Sequence, residues 1–256
     1  MDFWQEARGV CMSEITNLIA EGRAKRLYAT ENADEAVVYY RDETVAFHGL
    51  KRGRIIGKGE INNLICEYMF TLLTEKGVPN HFIRRIDNRC SLIKRVEIIP
   101  FTVTVRNIAA GSLARRIGLP DGSRLRNPVI EFNLKDEGLE DSLVNITHIT
   151  ALDLGTAEEV KKIEMMSRRV NEILTECMSG IGIELIDFKM EFGRYKGEIL
   201  LADEVSPDTC RFWDANTHEP LDLDRFRHDL GDVEEAYREV LHRLTGNVLR
   251  NNEEEL

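Results

Sequence analysis

Asp187-Phe188-Lys189-Met190-Glu191-Phe192-Gly193-Arg194-Tyr195-Lys196-Gly197-Glu198-Ile199-Leu200-Leu201-Ala202-Asp203 is the stretch on which the reading of this 256-residue chain turns. Its first six residues alternate strictly between charged and apolar side chains, the period of a strand with one face in a core. Two β-like runs, residues 181–192 and 198–205, flank Gly193-Arg194-Tyr195-Lys196-Gly197 and predict a hairpin. A three-residue loop over Tyr195-Lys196-Gly197, with Gly197 left-handed, pairs Arg194 with Glu198. That register sets Lys189 opposite Asp203 and Glu191 opposite Leu201. Asp187, Lys189 and Glu191 then share one face, with Asp203 diagonal to Glu191 at roughly 7 to 8 Å between backbones. Two carboxylates so placed suit one small hard cation, such as Mg²⁺, carried in by substrate phosphates. The same alternation also describes a solvated hairpin face with cross-strand ion pairs.

Outward from the hairpin, apolar residues at three- and four-residue spacing predict a helix over 58–77, stopped by Gly77 and Pro79. A second helix runs from Thr156, whose Thr156-x-x-Glu159 spacing is that of a capping box, toward Gly180. A third is expected over 222–245, ending at Gly246, and a weaker one over 3–20. Between them lie strand-like runs at 26–29, 36–40, 45–47, 81–86, 91–94, 97–105 and 129–134. The expected fold is α+β with mostly antiparallel sheets and flanking helices. A border near Arg95 to Ile98 divides it into a smaller N-terminal lobe, 1–96, and a larger C-terminal one, 97–256.

Composition narrows the function. With 34 Lys+Arg against 45 Asp+Glu the net charge is −11, the opposite of a nucleic-acid binder's basic footprint. No apolar run reaches the roughly 18 to 20 residues of a membrane span, and the N-terminus has no basic region followed by an apolar core. The expectation is a cytoplasmic protein that binds neither membrane nor nucleic acid. Five scattered cysteines without a C-x-x-C pair, and six histidines without H-x-x-x-H spacing, give neither a disulfide framework nor a zinc site. No G-x-S-x-G signature marks a nucleophilic hydrolase.

Three further segments suit phosphate. Val205-Ser206-Pro207-Asp208-Thr209-Cys210-Arg211-Phe212-Trp213 leaves the hairpin by a Ser-Pro turn and brings an arginine fork beside the proposed cation; a turn closed by Asp208, with Arg211 stacked on an aromatic ring, reads equally well. Val105-Arg106-Asn107-Ile108-Ala109-Ala110-Gly111-Ser112 leads into a short helix capped by Ser112 and stopped at Gly118, with Arg106 a bidentate donor nearby. A buried turn of small residues, with Ser112 only capping, is the plainer alternative. Ala20-Glu21-Gly22-Arg23-Ala24-Lys25-Arg26-Leu27-Tyr28 opens a strand with a glycine and three cations, and Lys135, which follows the strand ending at Leu134, reads as a phosphate lysine or as a plain solvent residue.

These segments, in this order, resemble the phosphoribosylaminoimidazole-succinocarboxamide synthase (SAICAR synthetase) family from about Leu18 to Leu244. Its most specific marks here are Gly22-x-Ala24-Lys25, Gly57-Lys58-Gly59-Glu60-Ile61-Asn62-Asn63, Val105-Arg106-Asn107 with Ala109-Ala110-Gly111-Ser112, Asp187-Phe188-Lys189-x-Glu191-Phe192-Gly193, and Asp203-Glu204-x-Ser206-Pro207-Asp208 with Arg211-x-Trp213-Asp214. The resemblance implies a two-lobed, ATP-grasp-like fold. It also implies a homo-oligomeric ligase that uses ATP and Mg²⁺ to join carboxyaminoimidazole ribonucleotide (CAIR) to L-aspartate, with another ATP-dependent ligase or phosphotransferase on the same scaffold as the alternative. Under it, Gly22, Arg23 and Lys25 hold the ATP phosphates, Glu97 and Ile98 receive adenine, and Lys135 joins the nucleotide site. Arg106, Ser112 and Arg211 bind the ribonucleotide 5′-phosphate, Glu191 and Asp203 hold Mg²⁺, and Lys189 sits against the reacting carboxylate. Asp187 and Asp208 complete the substrate set, with Asp141 assigned to L-aspartate. The chain departs from the family pattern at Arg23, Val45, His48, Glu140 and Ser142.

Overall fold

The computed structural model describes residues 15, 17–46, 49–135 and 142–254. Strands β1 (Leu18–Glu21), β2 (Lys25–Ala29) and β3 (Glu35–Tyr40) form an antiparallel meander, and β4 (Glu43–Ala46) with β5 (Lys51–Arg54) makes a separate two-stranded ribbon. Helix α1 (Lys58–Glu75) follows Gly57, whose φ of 81° only glycine adopts freely. Its buried Ile61, Ile65, Met69 and Leu73 recur at the helical period, as expected, and α1 lies against β3 and β6 (Phe82–Arg85). With β7 (Cys90–Lys94), the first sheet has the order β1-β2-β3-β7-β6.

The chain crosses to a second sheet at Arg95-Val96. Its strands are β8 (Glu97–Ala109), β9 (Ser123–Leu134), β10 (Leu143–Val144), β11 (Ile183–Tyr195), β12 (Glu198–Ala202) and β13 (Cys210–Asp214). Helix α2 (Gly111–Ile117) links β8 to β9, and α3 (Ile146–Ala151) precedes α4 (Ala157–Gly180). Both bonds of the expected capping box form at Thr156 and Glu159, and α4 packs its Val160, Ile163, Val170 and Leu174 stripe toward β8 and β11. Two elements complete the chain: α5 (Asp224–Arg227) and α6 (Val233–Glu254), the latter against α1. One apolar core includes residues of both sheets, α1, α4 and α6. No helix among the described residues is long and apolar enough to cross a membrane.

Strand β11 organises the second sheet. One edge pairs with β8; the other is shared end to end, β13 taking 183–188 and β12 taking 191–195. The segment 203–209 leaves the sheet at the gap between these partners, closed by the Lys189 N–H donating to the Thr209 carbonyl at 2.8 Å. Gly193 sits at a bulge against β8, where a Cβ would come within 2.4 Å of Val96 Cγ2.

Four sequence expectations are corrected. The hairpin turn has two residues, Lys196 (φ 51°) and Gly197 (φ 83°), so Tyr195 faces Glu198 and Glu191 faces Ala202, one step from the expected register. Two successive left-handed residues match the strand twist that a three-residue loop would not need. The helix expected over 222–245 is two, because Asp229, Gly231 and Asp232 all have positive φ; α6 then continues past Gly246 to Glu254. Residues 18–20 of the expected opening helix are in β1, where pairing with β2 satisfies their backbone; residues 3–14 lie outside the described ones. Ser112 is the second residue of α2 rather than its cap, the Ncap being Ala110 with no side-chain bond.

One buried polar contact ties these parts together. The Lys58 ammonium, 0 % exposed, lies 2.5 Å from Asp208 Oδ2, and the buried Tyr237 hydroxyl donates to Asp208 Oδ1 at 2.6 Å. The start of α1, the 203–209 segment and α6 thus meet on one carboxylate. Burial alone raises the Asp208 pKa, yet Lys58 and the Tyr237 hydroxyl hold it below the ordinary value.

Two stability predictions follow from this packing. Lys58→Met leaves a buried carboxylate without its cation and is expected to lower the unfolding free energy by about 3 to 5 kcal/mol in urea denaturation; a loss below about 1 kcal/mol would show that the contact is dispensable. His81, buried with its ring edge-on to Phe70 at 5.2 Å, is held down to about 4 by desolvation. The unfolded chain binds this proton near pH 6.5, so stability is full above that pH and falls as pH drops toward 4, by roughly 3 kcal/mol at about 1.4 per unit. His81→Phe should flatten that slope between pH 6.5 and 4.

Candidate active site

Directly paired residues of a sheet share a face, and the β8, β9, β11 and β13 registers assemble one polar face from the separate motifs. Asp187 is opposite Arg106 on one side and Arg211 on the other. Lys189 is opposite Thr104, which faces Glu131 across the next ladder. Glu191 is opposite Thr102, which faces Asn133. The intervening Val103, Val105, Phe188, Met190 and Phe192 point into the core, so alternation on three strands sets a charged floor over an apolar body.

At one end of this floor, two lysines meet three carboxylates. Asp203 leaves β12 with φ 68°, a left-handed conformation uncommon for a residue with a Cβ, and its carboxylate pairs with the Lys25 ammonium. Lys25 also lies 2.9 Å from Glu204, which accepts from the Ser206 hydroxyl at 2.9 Å. Lys135, at the end of β9, pairs with Glu191 at 2.6 Å. Burial would raise the Asp203 pKa, but Lys25, with Lys189 and Lys135 farther off, holds it below the ordinary range. Lys25 is shifted upward: desolvation opposes its charge, while Asp203 and Glu204 favour it more strongly. Glu204 is pushed up by burial and by the Asp203 and Asp208 charges, against Lys25. Gly22 closes the turn before β2 by donating its N–H to the Lys25 carbonyl at 2.8 Å, and Arg23 beside it is exposed. Glu97 and Ile98 lie on β8 at the same end, opposite Arg194 and Gly193, both exposed, with Glu97 3.4 Å from the Arg194 guanidinium.

At the other end, Arg106 and Arg211 share the Oδ2 of Asp187, at 3.0 and 2.5 Å. Each gives its Nε to a second carboxylate: Arg106 to Glu131 at 2.6 Å, Arg211 to Asp224 at 2.6 Å. The Arg106 Nη2 then reaches the Ser112 hydroxyl at 3.2 Å. The Arg211 Nη2 lies against Gly111, whose φ is 54° and where a Cβ would stand 3.1 Å from it. Both outer edges therefore converge on the Gly111-Ser112 step, a fork geometry suited to a tetrahedral oxyanion.

The floor thus brings together Lys25, Lys135, Glu191 and Asp203, and Arg106, Ser112, Asp187 and Arg211, with exposed Lys189 between the two groups. Asp208 stands apart, since both its oxygens face Lys58 and Tyr237. Asp141 and His48 lie outside the described residues. Sequence reasoning missed Thr102, Thr104, Glu131, Asn133, Glu204 and Asp224. A signal existed for the first four: Thr102-x-Thr104-x-Arg106 and Glu131-x-Asn133-x-Lys135 have the same period of two as Asp187-x-Lys189-x-Glu191. Asp224 had none, because its partner Arg211 is on another element.

The family model for SAICAR synthetase matches residues 18–244. The phosphoribosylaminoimidazole-succinocarboxamide synthase of Clostridium acetobutylicum is 50% identical over 233 residues, 91% of this chain and 99% of that one. Among solved structures, the phosphoribosylaminoimidazole-succinocarboxamide synthase of Ehrlichia chaffeensis superposes with a TM-score of 0.88 at 42% identity, over 90% of this chain and 98% of that one. A SAICAR synthetase in complex with ADP gives 0.87 at 42% identity, with the same coverage. A match spanning all but the chain's two ends, together with relatives covered almost in full, establishes that the chain belongs to the SAICAR synthetase family.

Proposed function

We propose that this chain is the ATP- and Mg²⁺-dependent ligase that joins CAIR to L-aspartate in the cytoplasm, releasing SAICAR, ADP and phosphate. The observation that carries the reading is the single polar sheet face with lysine–carboxylate pairs at one end and the Arg106–Asp187–Arg211 group at the other. A relative that binds ADP supports nucleotide use.

A carboxylate is a poor electrophile, so the substrate carboxylate first attacks the ATP γ-phosphorus. ADP leaves, and the acyl phosphate is taken by the aspartate amine with loss of a proton and phosphate. No protein nucleophile is needed. Arg106, Ser112 and Arg211 hold the 5′-phosphate, which directs the imidazole carboxylate along the floor toward Lys189. Lys189 offsets charge on that carboxylate as it approaches the γ-phosphate. Lys25, with Gly22 and Arg23 before it, takes the ATP phosphates, and Lys135 assists. Glu97 and Ile98 line the adenine end of a cleft between 1–96 and 97–256, and Asp141 is our assignment for the aspartate ammonium.

Glu191 and Asp203 fit Mg²⁺: they offer hard carboxylate oxygens at the end of the floor that holds Lys25 and Lys135, where the ATP phosphates are assigned. Bound there, Mg²⁺ supplies charge that offsets the crowded phosphate oxygens. Lys25 and Lys135 stand beside these same carboxylates.

The decisive measurement is coupled ADP release with ATP, Mg²⁺, CAIR and L-aspartate, omitting one at a time. Turnover requiring all four is expected; ADP release indifferent to aspartate would point to another acceptor. Asp203→Asn is expected to reduce kcat by at least about 100-fold with the fold retained by circular dichroism. Lys25→Met should raise the KM for ATP by about 10-fold or more while the KM for CAIR stays near wild type. Wild-type turnover in either variant would remove that residue from the site.

A further inference from the structure

The arginines over the Gly111-Ser112 step belong to a longer alternating ribbon: Arg116, Glu131, Arg106, Asp187, Arg211, Asp224, Arg227. Glu131 pairs with Arg116 as well as with Arg106, and Asp224 lies 2.6 Å from Arg227 as well as from Arg211. The ribbon starts and ends on arginine, so it has four cations against three carboxylates. That single positive excess offsets part of the charge of an incoming anion. Asp187 in the middle sets the spacing of Arg106 and Arg211, but one shared oxygen leaves each guanidinium free to rotate about that contact. The outer carboxylates remove this freedom, each accepting from Nε and so fixing a second point of the guanidinium while Nη2 is left toward the Gly111-Ser112 step. Both are themselves held. Glu131 is buried in β9 opposite Thr104. Asp224 opens α5, and the fully buried Asp222 accepts the Asp224 and Phe212 N–H groups at 2.7 Å each.

We propose that Glu131 and Asp224 are positioning residues that aim Arg106 and Arg211 at a single phosphomonoester, and so set affinity for the ribonucleotide without touching it. This rests on the phosphate assignment made above. A carboxylate that fixes a binding group from behind is expected to matter about 10-fold or more in affinity, as outer partners of metal ligands do. A carboxamide in its place keeps the shape but gives up the charge-assisted bond.

The test compares Asp224→Asn, Glu131→Gln and Arg211→Lys with the wild type. It measures KM for CAIR, ATP and aspartate, kcat, inhibition by ribose 5-phosphate, and the unfolding midpoint. Asp224→Asn and Glu131→Gln should each raise the KM for CAIR and the inhibition constant of ribose 5-phosphate about 10-fold. The KM for ATP and kcat should stay within about twofold. Asp224→Glu, which restores the charge, should recover part of the loss. The Asp224→Asn/Arg211→Lys double variant should cost no more than the worse single one, because both act through one guanidinium. If Arg211→Lys weakens CAIR binding while both carboxamide variants bind it as wild type, the positioning role is overturned and the phosphate site stands. If Arg211→Lys leaves CAIR binding unchanged, both fall. A loss spread equally over all substrates with a lower unfolding midpoint assigns Glu131 and Asp224 to stability alone and also overturns the proposal.

Discussion

A fully buried ammonium must find its counter-charge within the protein, and for Lys58 the nearest one lies 150 positions away in sequence, on Asp208. That pairing constrains much of what surrounds it. It fixes where α1 begins, where the 203–209 segment turns, and, through the Tyr237 hydroxyl, where α6 lies. The same segment carries Asp203 and Glu204 toward Lys25. Desolvating an ion pair in this way seldom adds stability over an apolar substitute, but an unmatched partner is heavily penalised, so alternative packings are disfavoured. The contact therefore specifies arrangement more than it strengthens the fold.

The site follows the same electrostatic logic on the open side of the sheet. Lys25, Lys135, Arg106 and Arg211 each stand against at least one carboxylate, and these carboxylates come from separate elements. Charges so placed are already oriented and partly desolvated, so an anion arriving there would meet fixed groups rather than flexible ones. The split edge of β11 makes this possible. A continuous partner strand would have buried the 189–190 edge; sharing the edge between β12 and β13 lets the chain leave the ladder there.

Much of the polar sheet face of the candidate site was legible because its residues occur in short motifs with the strand period. Asp187-x-Lys189-x-Glu191 announced a polar face, and the same period in 102–106 and 131–135 had equal content. The capping box at Thr156 and Glu159 was readable for a similar reason, since both its bonds close within three residues. The hairpin register was less legible. Gly197 is left-handed in both readings, but only the positive φ of Lys196 distinguishes a two-residue turn from a three-residue one. The break between α5 and α6 did carry a signal, Gly231 in Asp229-Leu230-Gly231-Asp232, but a lone glycine does not by itself end a helix, as the continuation of α6 through Gly246 shows.

By itself, the sequence determined the α+β class, the elements with clear periodicity, the family resemblance and the chemical character of the site, because each depends on residues close together along the chain. Tertiary structure alone decided which charges meet: Lys58 with Asp208, Lys135 with Glu191, Arg211 with Asp224, and Lys25 with both Asp203 and Glu204. The physical reason is that ion pairing has no sequence period. A carboxylate's partner is set by which elements pack together and how far they exclude water, and neither is written in the residues on either side of it.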